Sequence, residues 1–272
     1  MNRELLQTPR KPGRLALVPI AIASLAGLLS VPCGAWAAQA TGGPQIAPRQ
    51  PIVTLLAAHD VRRAPDGDSR PTAVVAATRP ITGGDTVLPV LARTVDEDGR
   101  SWLRVRLPGR VLGVEAPPPI GWISASNTRP SSTAWHIVVE LGARRVIVYR
   151  DGRRLRSFAG SVGKPSTPTP QGSYFVEENV QVPLDQFAAP FALALDARSA
   201  VLRQFMGGPG QIALHGVRNI GGTPGGADSH GCVRLSDRAI TWLAWRIRPG
   251  VPVTILDDAA ALFAPAPLDR PG

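Results

Sequence analysis

The sequence predicts a mainly β protein, and three observations carry that prediction. Gly and Pro number 28 each among 272 residues, a density of turn formers that suits strands better than long helices. Short apolar or alternating runs recur along the chain, each bounded by such residues. Only the segment 236–246 places apolar side chains at helical spacing. It has Asp237 in its first turn and Ala239, Ile240, Leu243, Ala244 and Ile247 along one face.

Taken in order, residues 1–37 have the layout of an export signal. Arg10, Lys11 and Arg14 precede an uncharged stretch at 15–38 that is strongly apolar over 15–30, and Ala35-Trp36-Ala37 offers small residues where a signal peptidase reads them. Cleavage after Ala37 is expected. The alternative is an uncleaved membrane anchor, because the uncharged run is long enough to span a bilayer. Residues 38–50, rich in Ala, Gly, Pro and Gln, read as a linker. Within 51–127 strands are expected at 52–57, 73–77, 86–92, 101–107 and 120–123, the spacing of a small barrel with Trp102 and Trp122 in its core. Residues 128–132 read as a connector. A second domain, 133–256, is expected to hold strands at 136–141, 145–150, 155–160, 173–176, 191–195, 211–214 and 251–256, with a hairpin turn at Asp151-Gly152 and loops at 163–172 and 216–229. Residues 257–272 read as a frayed tail.

The composition is that of a folded chain, 44% apolar and 18% charged. The net charge of +10 is nearly all arginine, with lysine only at 11 and 164. No compact basic run points to nucleic acid, so a solvated basic surface is expected, with an anionic wall polymer as the second reading. No metal or nucleotide motif is present, and no cofactor is expected.

Loss of residues 1–37 removes Cys33 and leaves Cys232 as the only cysteine, which excludes an internal disulfide. Such a thiol is either buried and inert or reactive. A reactive one needs a base, because a free thiol is mostly protonated at neutral pH. His215 can serve if the intervening loop folds back. His230, two residues from Cys232, is less free to meet the sulfur and reads as an orienter. Cys232 lies about one turn before the expected helix, whose N-terminus would favour a thiolate. The Gly231 and Cys232 amides could then hold an oxyanion. Zinc held by His215, His230 and Cys232 is an alternative, though Asp228 is the one acidic neighbour of the set.

The order His215-Gly216, a glycine-containing loop, then Ser229-His230-Gly231-Cys232-Val233-Arg234 resembles the signature of the L,D-transpeptidase catalytic domain. Gly163-Lys164-Pro165, the Thr-Pro run 167–172 and the segment 210–216 are similar to further parts of it, over about 133–256. The resemblance implies a β-sandwich. It implies Cys232 as nucleophile, His215 as general base and proton donor, and the Gly216 carbonyl as its orienter. Ser229 and His230 would support the site, Gly231 would give an oxyanion-hole amide, and Arg234 and Asn219 would contact substrate. That substrate would be a peptidoglycan stem peptide whose terminal D-residue is released and whose acyl group passes to an amine, with loops 163–172 and 216–229 limiting water. The rivals are an L,D-carboxypeptidase or D-amino-acid exchange enzyme, or a non-catalytic wall-binding protein. The run 98–105 and Gly121-Trp122-Ile123 resemble bacterial SH3-like domains, which implies a small β-barrel that binds or positions wall polymer. The expected location is the cell wall or the outer face of the membrane, with attachment only through 15–38.

Overall fold

The computed structural model describes residues 46–113, 119–221 and 224–262. The expected signal segment with Cys33, most of the linker, and residues 263–272 lie outside them. Among the described residues the chain is mainly β, with one α-helix.

An N-terminal sheet is built from β1 (Gln50–Leu55), a hairpin β2 (His59–Val61) and β3 (Ala73–Val75), β4 (Val87–Val95), β5 (Ser101–Arg106), β6 (Ile120–Ser124) and β7 (Thr128–Thr133). Its five main strands run in the order β6-β5-β4-β1-β7, all antiparallel. The hairpin meets the β6 edge where Arg62 and Trp122 exchange backbone hydrogen bonds, both 2.8 Å. Alternation buries Val53, Leu55, Leu88, Val90, Leu103, Val105 and Ile123 as one core. Trp102 is buried, its indole N–H donating to Asp96 at 2.8 Å, whereas Trp122 is half-buried. Residues 128–132, expected to be a connector, are strand instead: β7 pairs with β1 along its whole length, from Thr133 opposite Gln50 to Thr128 opposite Leu55. Pro130 is tolerated there because β7 is an edge strand and needs no second ladder.

The larger sheet comprises β8 (Trp135–Glu140), β9 (Arg145–Arg150), β10 (Arg153–Gly163), β11 (Gly172–Gln181), β12 (Phe191–Arg198), β13 (Gln211–Gly216), β14 (Ala227–Ser229), β15 (Val233–Leu235) and, after helix α1 (Asp237–Ala244), β16 (Pro252–Leu256). Its order is β14-β10-β15-β13-β12-β11-β16-β8-β9, and β9 also pairs with β10, so the sheet closes on itself. The long β10 makes this possible by pairing with β9 over its first half and with β15 and β14 over its end. Asp151 and Gly152, both at positive φ (51° and 74°), form the expected two-residue hairpin. Inside the closed sheet, Ile137, Val148, Leu193, Leu195, Leu214 and Val233 are fully buried. Helix α1 packs Ala239, Ile240, Leu243 and Ala244 onto them, and its N-cap Ser236 accepts the Ala239 amide at 3.2 Å. The start of the expected tail is packed as well. Ala259 and Leu262, in a 3₁₀ turn, bury against Val138, Ile147 and Tyr149, and the Ala259 amide donates to Glu140 at 3.2 Å.

A bulge in β11 at Val176–Glu178 presents two buried carboxylates in succession. Glu178 accepts the Thr82 amide (2.7 Å) and hydroxyl (2.8 Å) of the N-terminal sheet region. Glu177 accepts from Arg79 (3.0 Å), the Gly109 amide (2.6 Å), Arg198 (3.2 Å) and Gln211 (2.9 Å). Beside them, Asp196 accepts the Phe175 amide at 2.7 Å and lies 3.9 Å from Arg106.

Burial pushes the Asp196 carboxyl up to about 7, with the Glu177 charge adding and the Phe175 amide, Arg106 and Arg198 opposing. The folded chain therefore keeps this proton where the unfolded chain, near 3.8, has lost it. The stabilisation is fully present below the unfolded value and is lost as pH rises through the folded one. Asp196→Asn, which cannot ionise, is expected to gain on the wild type in urea midpoint between roughly pH 4 and pH 8. A gap that stays constant over that range contradicts this.

Candidate active site

Two short parallel strands bring the chemistry together. On β13 and β15, Leu214 lies opposite Val233 and His215 opposite Arg234. Leu214 and Val233 are both fully buried in the core. Side chains alternate along a strand, and neighbours across a sheet share a face. His215, Arg234 and, one residue before the ladder, Cys232 therefore project to the opposite face from that core.

Cys232 is partly exposed, and its thiol donates to the Gln211 carbonyl at 3.8 Å. Burial pushes the thiol above its ordinary 9.0, against the Ala213 amide and the Arg234 charge. The expected help from the helix is not there. Strand β15 stands between Cys232 and Asp237, the first residue of α1, and a helix terminus acts over only about one turn.

His215 is buried, with Nδ1 2.7 Å from the Gly216 carbonyl. A carbonyl only accepts, so Nδ1 carries the hydrogen and Nε2 keeps its lone pair. Burial lowers the imidazole pKa, Arg234 adds to this, and the Gly216 bond opposes it. The ring is thus held neutral with a free basic nitrogen. No hydrogen bond joins it to Cys232, whose thiol is turned toward Gln211. Residue 216 must be glycine, since a Cβ there collides with the Ala189 carbonyl.

The turn around the cysteine is tied by Ser229. Its buried hydroxyl donates to the Cys232 carbonyl at 2.6 Å and accepts the Gly231 amide at 3.1 Å. The Gly231 amide expected in an oxyanion hole is therefore already taken, because the buried hydroxyl uses it as donor. Glycine at 231 is needed for its φ of +117°. His230 does not orient Cys232. It is exposed and stacked on Phe205, ring centroids 5.6 Å apart. Arg234 lies 3.3 Å from Asp228, and its buried Nε has no hydrogen-bond partner. Asn219, expected to contact substrate, instead donates to the carbonyls of Leu184 (3.0 Å) and Gln186 (2.8 Å).

The loop 163–172 is tied by hydrogen bonds to the cysteine turn. The Thr167 hydroxyl (3.2 Å) and Lys164 amide (3.0 Å) donate to the Ser229 carbonyl. Thr169 donates to the Gly231 carbonyl at 2.8 Å and accepts the Gly163 amide at 2.9 Å. The loop beside the histidine is 182–190, which the sequence reading had not singled out. Its Phe187 ring sits 6.2 Å from that of His215, and Asn219 holds it in place. The signal available in the sequence was the pair of large apolar side chains, Leu184 and Phe187, in a segment bounded by Pro183 and Pro190, and the fold leaves both exposed. A cavity of about 1070 Å³ opens in the N-terminal sheet region beside Arg63, Arg70 and Arg79, and no residue of this site lines it.

Because Thr169 is buried and satisfies two backbone groups, Thr169→Val is expected to cost about 1–3 kcal/mol in unfolding free energy and to change the rate of Cys232 alkylation. Wild-type values of both contradict the assignment. In the free protein the alkylation rate is expected to reach half its maximum above pH 9.0. A lower midpoint contradicts the neutral thiol.

Residues 134–255 match the model of the YkuD family, the L,D-transpeptidase catalytic domain. YkuD of Bacillus subtilis is 29% identical over 126 residues, covering 46% of this chain and 68% of its own. L,D-transpeptidase 1 of Mycobacterium tuberculosis is 28% identical over 131 residues, 44% of this chain, so the match spans about half (49%) of that relative's length. Among solved structures, an L,D-transpeptidase from Mycobacterium smegmatis aligns over 58% of this chain and 90% of its own, with 19% identity and a TM-score of 0.35. Residues 134–255, which hold every side chain of the site, carry the L,D-transpeptidase catalytic domain of the YkuD family.

Proposed function

We propose that this enzyme cleaves and transfers peptidoglycan stem peptides through a thioester on Cys232. The observation that carries the reading is a neutral His215, its Nε2 free, on the same strand face as the one cysteine among the described residues. In the reaction the thiol turns from Gln211 toward His215, Nε2 takes its proton, and Sγ attacks the carbonyl carbon before the terminal D-residue. His215 returns the proton to the leaving amine. The amine of a second stem then attacks the thioester, giving up its proton to Nε2 as Sγ leaves, and the thiol is restored. One amide is exchanged for another, so no energy source is consumed.

Apo geometry without a Cys–His hydrogen bond is compatible with this, since such bonds often form only with substrate. The raised thiol pKa keeps charge out of a poorly solvated site until the histidine accepts the proton. The Arg234 charge lowers the cost of the thiolate as it forms. With the Gly231 amide engaged, the Cys232 amide is the remaining oxyanion donor from the expected pair. Loop 182–190 is the element that limits water near His215.

Export through residues 1–37 would bring the enzyme to its polymer at the wall, with membrane attachment only through 15–38. The N-terminal sheet, in this reading an SH3-like module, binds or positions wall polymer. If water or a free D-amino acid is the acceptor, the enzyme is an L,D-carboxypeptidase or exchange enzyme with the same thioester, and mass spectrometry of the products separates the three.

Two substitutions test the reading on tetrapeptide stems. Cys232→Ala is expected to abolish release of the terminal D-residue, and His215→Ala to slow it by about 10²–10⁴-fold. Release that continues in Cys232→Ala sinks the proposal.

A further inference from the structure

The thiol's resting partner belongs to a chain of contacts that leaves the site and ends in the N-terminal sheet region. Cys232 donates to the main-chain carbonyl of Gln211. The Gln211 side chain is clamped twice, donating to Glu177 at 2.9 Å and to the Leu195 carbonyl at 3.0 Å. Glu177, only 1% exposed, is in turn held by the Arg79 guanidinium and the Gly109 amide, both outside the catalytic segment, and by Arg198. Arg198 reaches back as well, donating to the Arg110 carbonyl at 3.0 Å. Gly109 fits only as glycine, because a Cβ there collides with the Asp196 carbonyl.

Simple packing between two sheets calls for apolar contacts. Here the junction buries a carboxylate between two arginines, a costly arrangement unless every partner is fixed. What it fixes is the first residue of β13, the strand that also carries His215.

We propose that Glu177 and Gln211 are positioning residues for Cys232, and that the N-terminal sheet region, through Arg79 and Gly109, sets where the thiol rests. The inference builds on Cys232 as nucleophile but reads out on the thiol itself. It assigns the N-terminal region a task inside the reaction, separate from any hold on wall polymer. A firmly placed Gln211 carbonyl gives the S–H its acceptor and stabilises the neutral thiol. When Gln211 is released, that acceptor moves and the thiolate forms more readily. The sulfur also loses its defined position relative to His215.

The test uses iodoacetamide alkylation against pH on the full chain, read by mass spectrometry of the peptide containing Cys232, so that Cys33 does not contribute. Gln211→Ala leaves all the buried charges in place. It is expected to move the alkylation midpoint down by roughly half a pH unit or more. It is also expected to slow acylation by a tetrapeptide stem about tenfold, with little change in KM. Arg79→Met, a change outside the catalytic segment, is expected to shift both in the same direction by less. Urea midpoints establish that each variant is folded, and Gln211→Asn replaces any that is not. Wild-type midpoints in folded Gln211 and Arg79 variants overturn the proposal and leave a junction that only stabilises. If the wild type is not acylated by stems, the functional reading fails, while the alkylation shift still decides this one.

Discussion

Three backbone pairings, Leu214 with Val233, His215 with Arg234 and Gly216 with Leu235, set up everything else at the site. They are parallel, so they need a long excursion of chain between the strands, and residues 217–232 provide it. The excursion carries the glycines, the Ser229 tie and the cysteine itself. Because Leu214 and Val233 are locked in the core, the register cannot slip by one residue without turning His215 into the apolar core and two apolar side chains out of it. The relation between sulfur and imidazole is thus imposed by hydrophobic burial, and the polar contacts refine it.

Those refinements make a cysteine–histidine pair that is uncharged at rest. Burial raises the thiol and lowers the imidazole, so both are neutral and the ion pair familiar from more exposed Cys–His sites is disfavoured. Protonation states are instead held by backbone carbonyls, Gly216 for the histidine and Gln211 for the thiol. An uncharged nucleophile guards against stray oxidation and alkylation, and its activation is left to the moment when substrate displaces water. The supporting turn follows the same rule. Thr167, Thr169 and Ser229 are buried hydroxyls that each serve main-chain groups, making the cysteine turn rigid without adding charge.

What was legible in the sequence follows from how local each cause is. The Asp151-Gly152 hairpin and the helix capped by Ser236 are decided within a few residues, and both were visible. Cys232, His215 and Gly216 were visible through a motif, since the chemistry requires those types in that order. Strand β7 was hidden because Pro130 argues against a strand unless the strand is known to be an edge, which is a fact of the sheet. Two consecutive glutamates look like surface, and only the β11 bulge and arginines from two other segments, Arg79 and Arg198, turn Glu177 and Glu178 inward. Proximity of Cys232 to the helix in sequence suggested a dipole that the intervening β15 removes. The Gly231 amide, free on paper, was lost to a hydroxyl two residues earlier. In each case the missing fact was a long-range pairing or the orientation of one polar group.

The central claim is that the sulfur of Cys232 carries the acyl group. The most direct measurement is intact mass with peptide mapping of the full chain, quenched in acid seconds after mixing with a tetrapeptide stem. The account predicts a gain equal to the tripeptidyl acyl group, on the peptide containing Cys232, appearing together with one free terminal D-residue per adduct. Release of the D-residue with no adduct on Cys232 at any time, or an adduct on another residue, contradicts it.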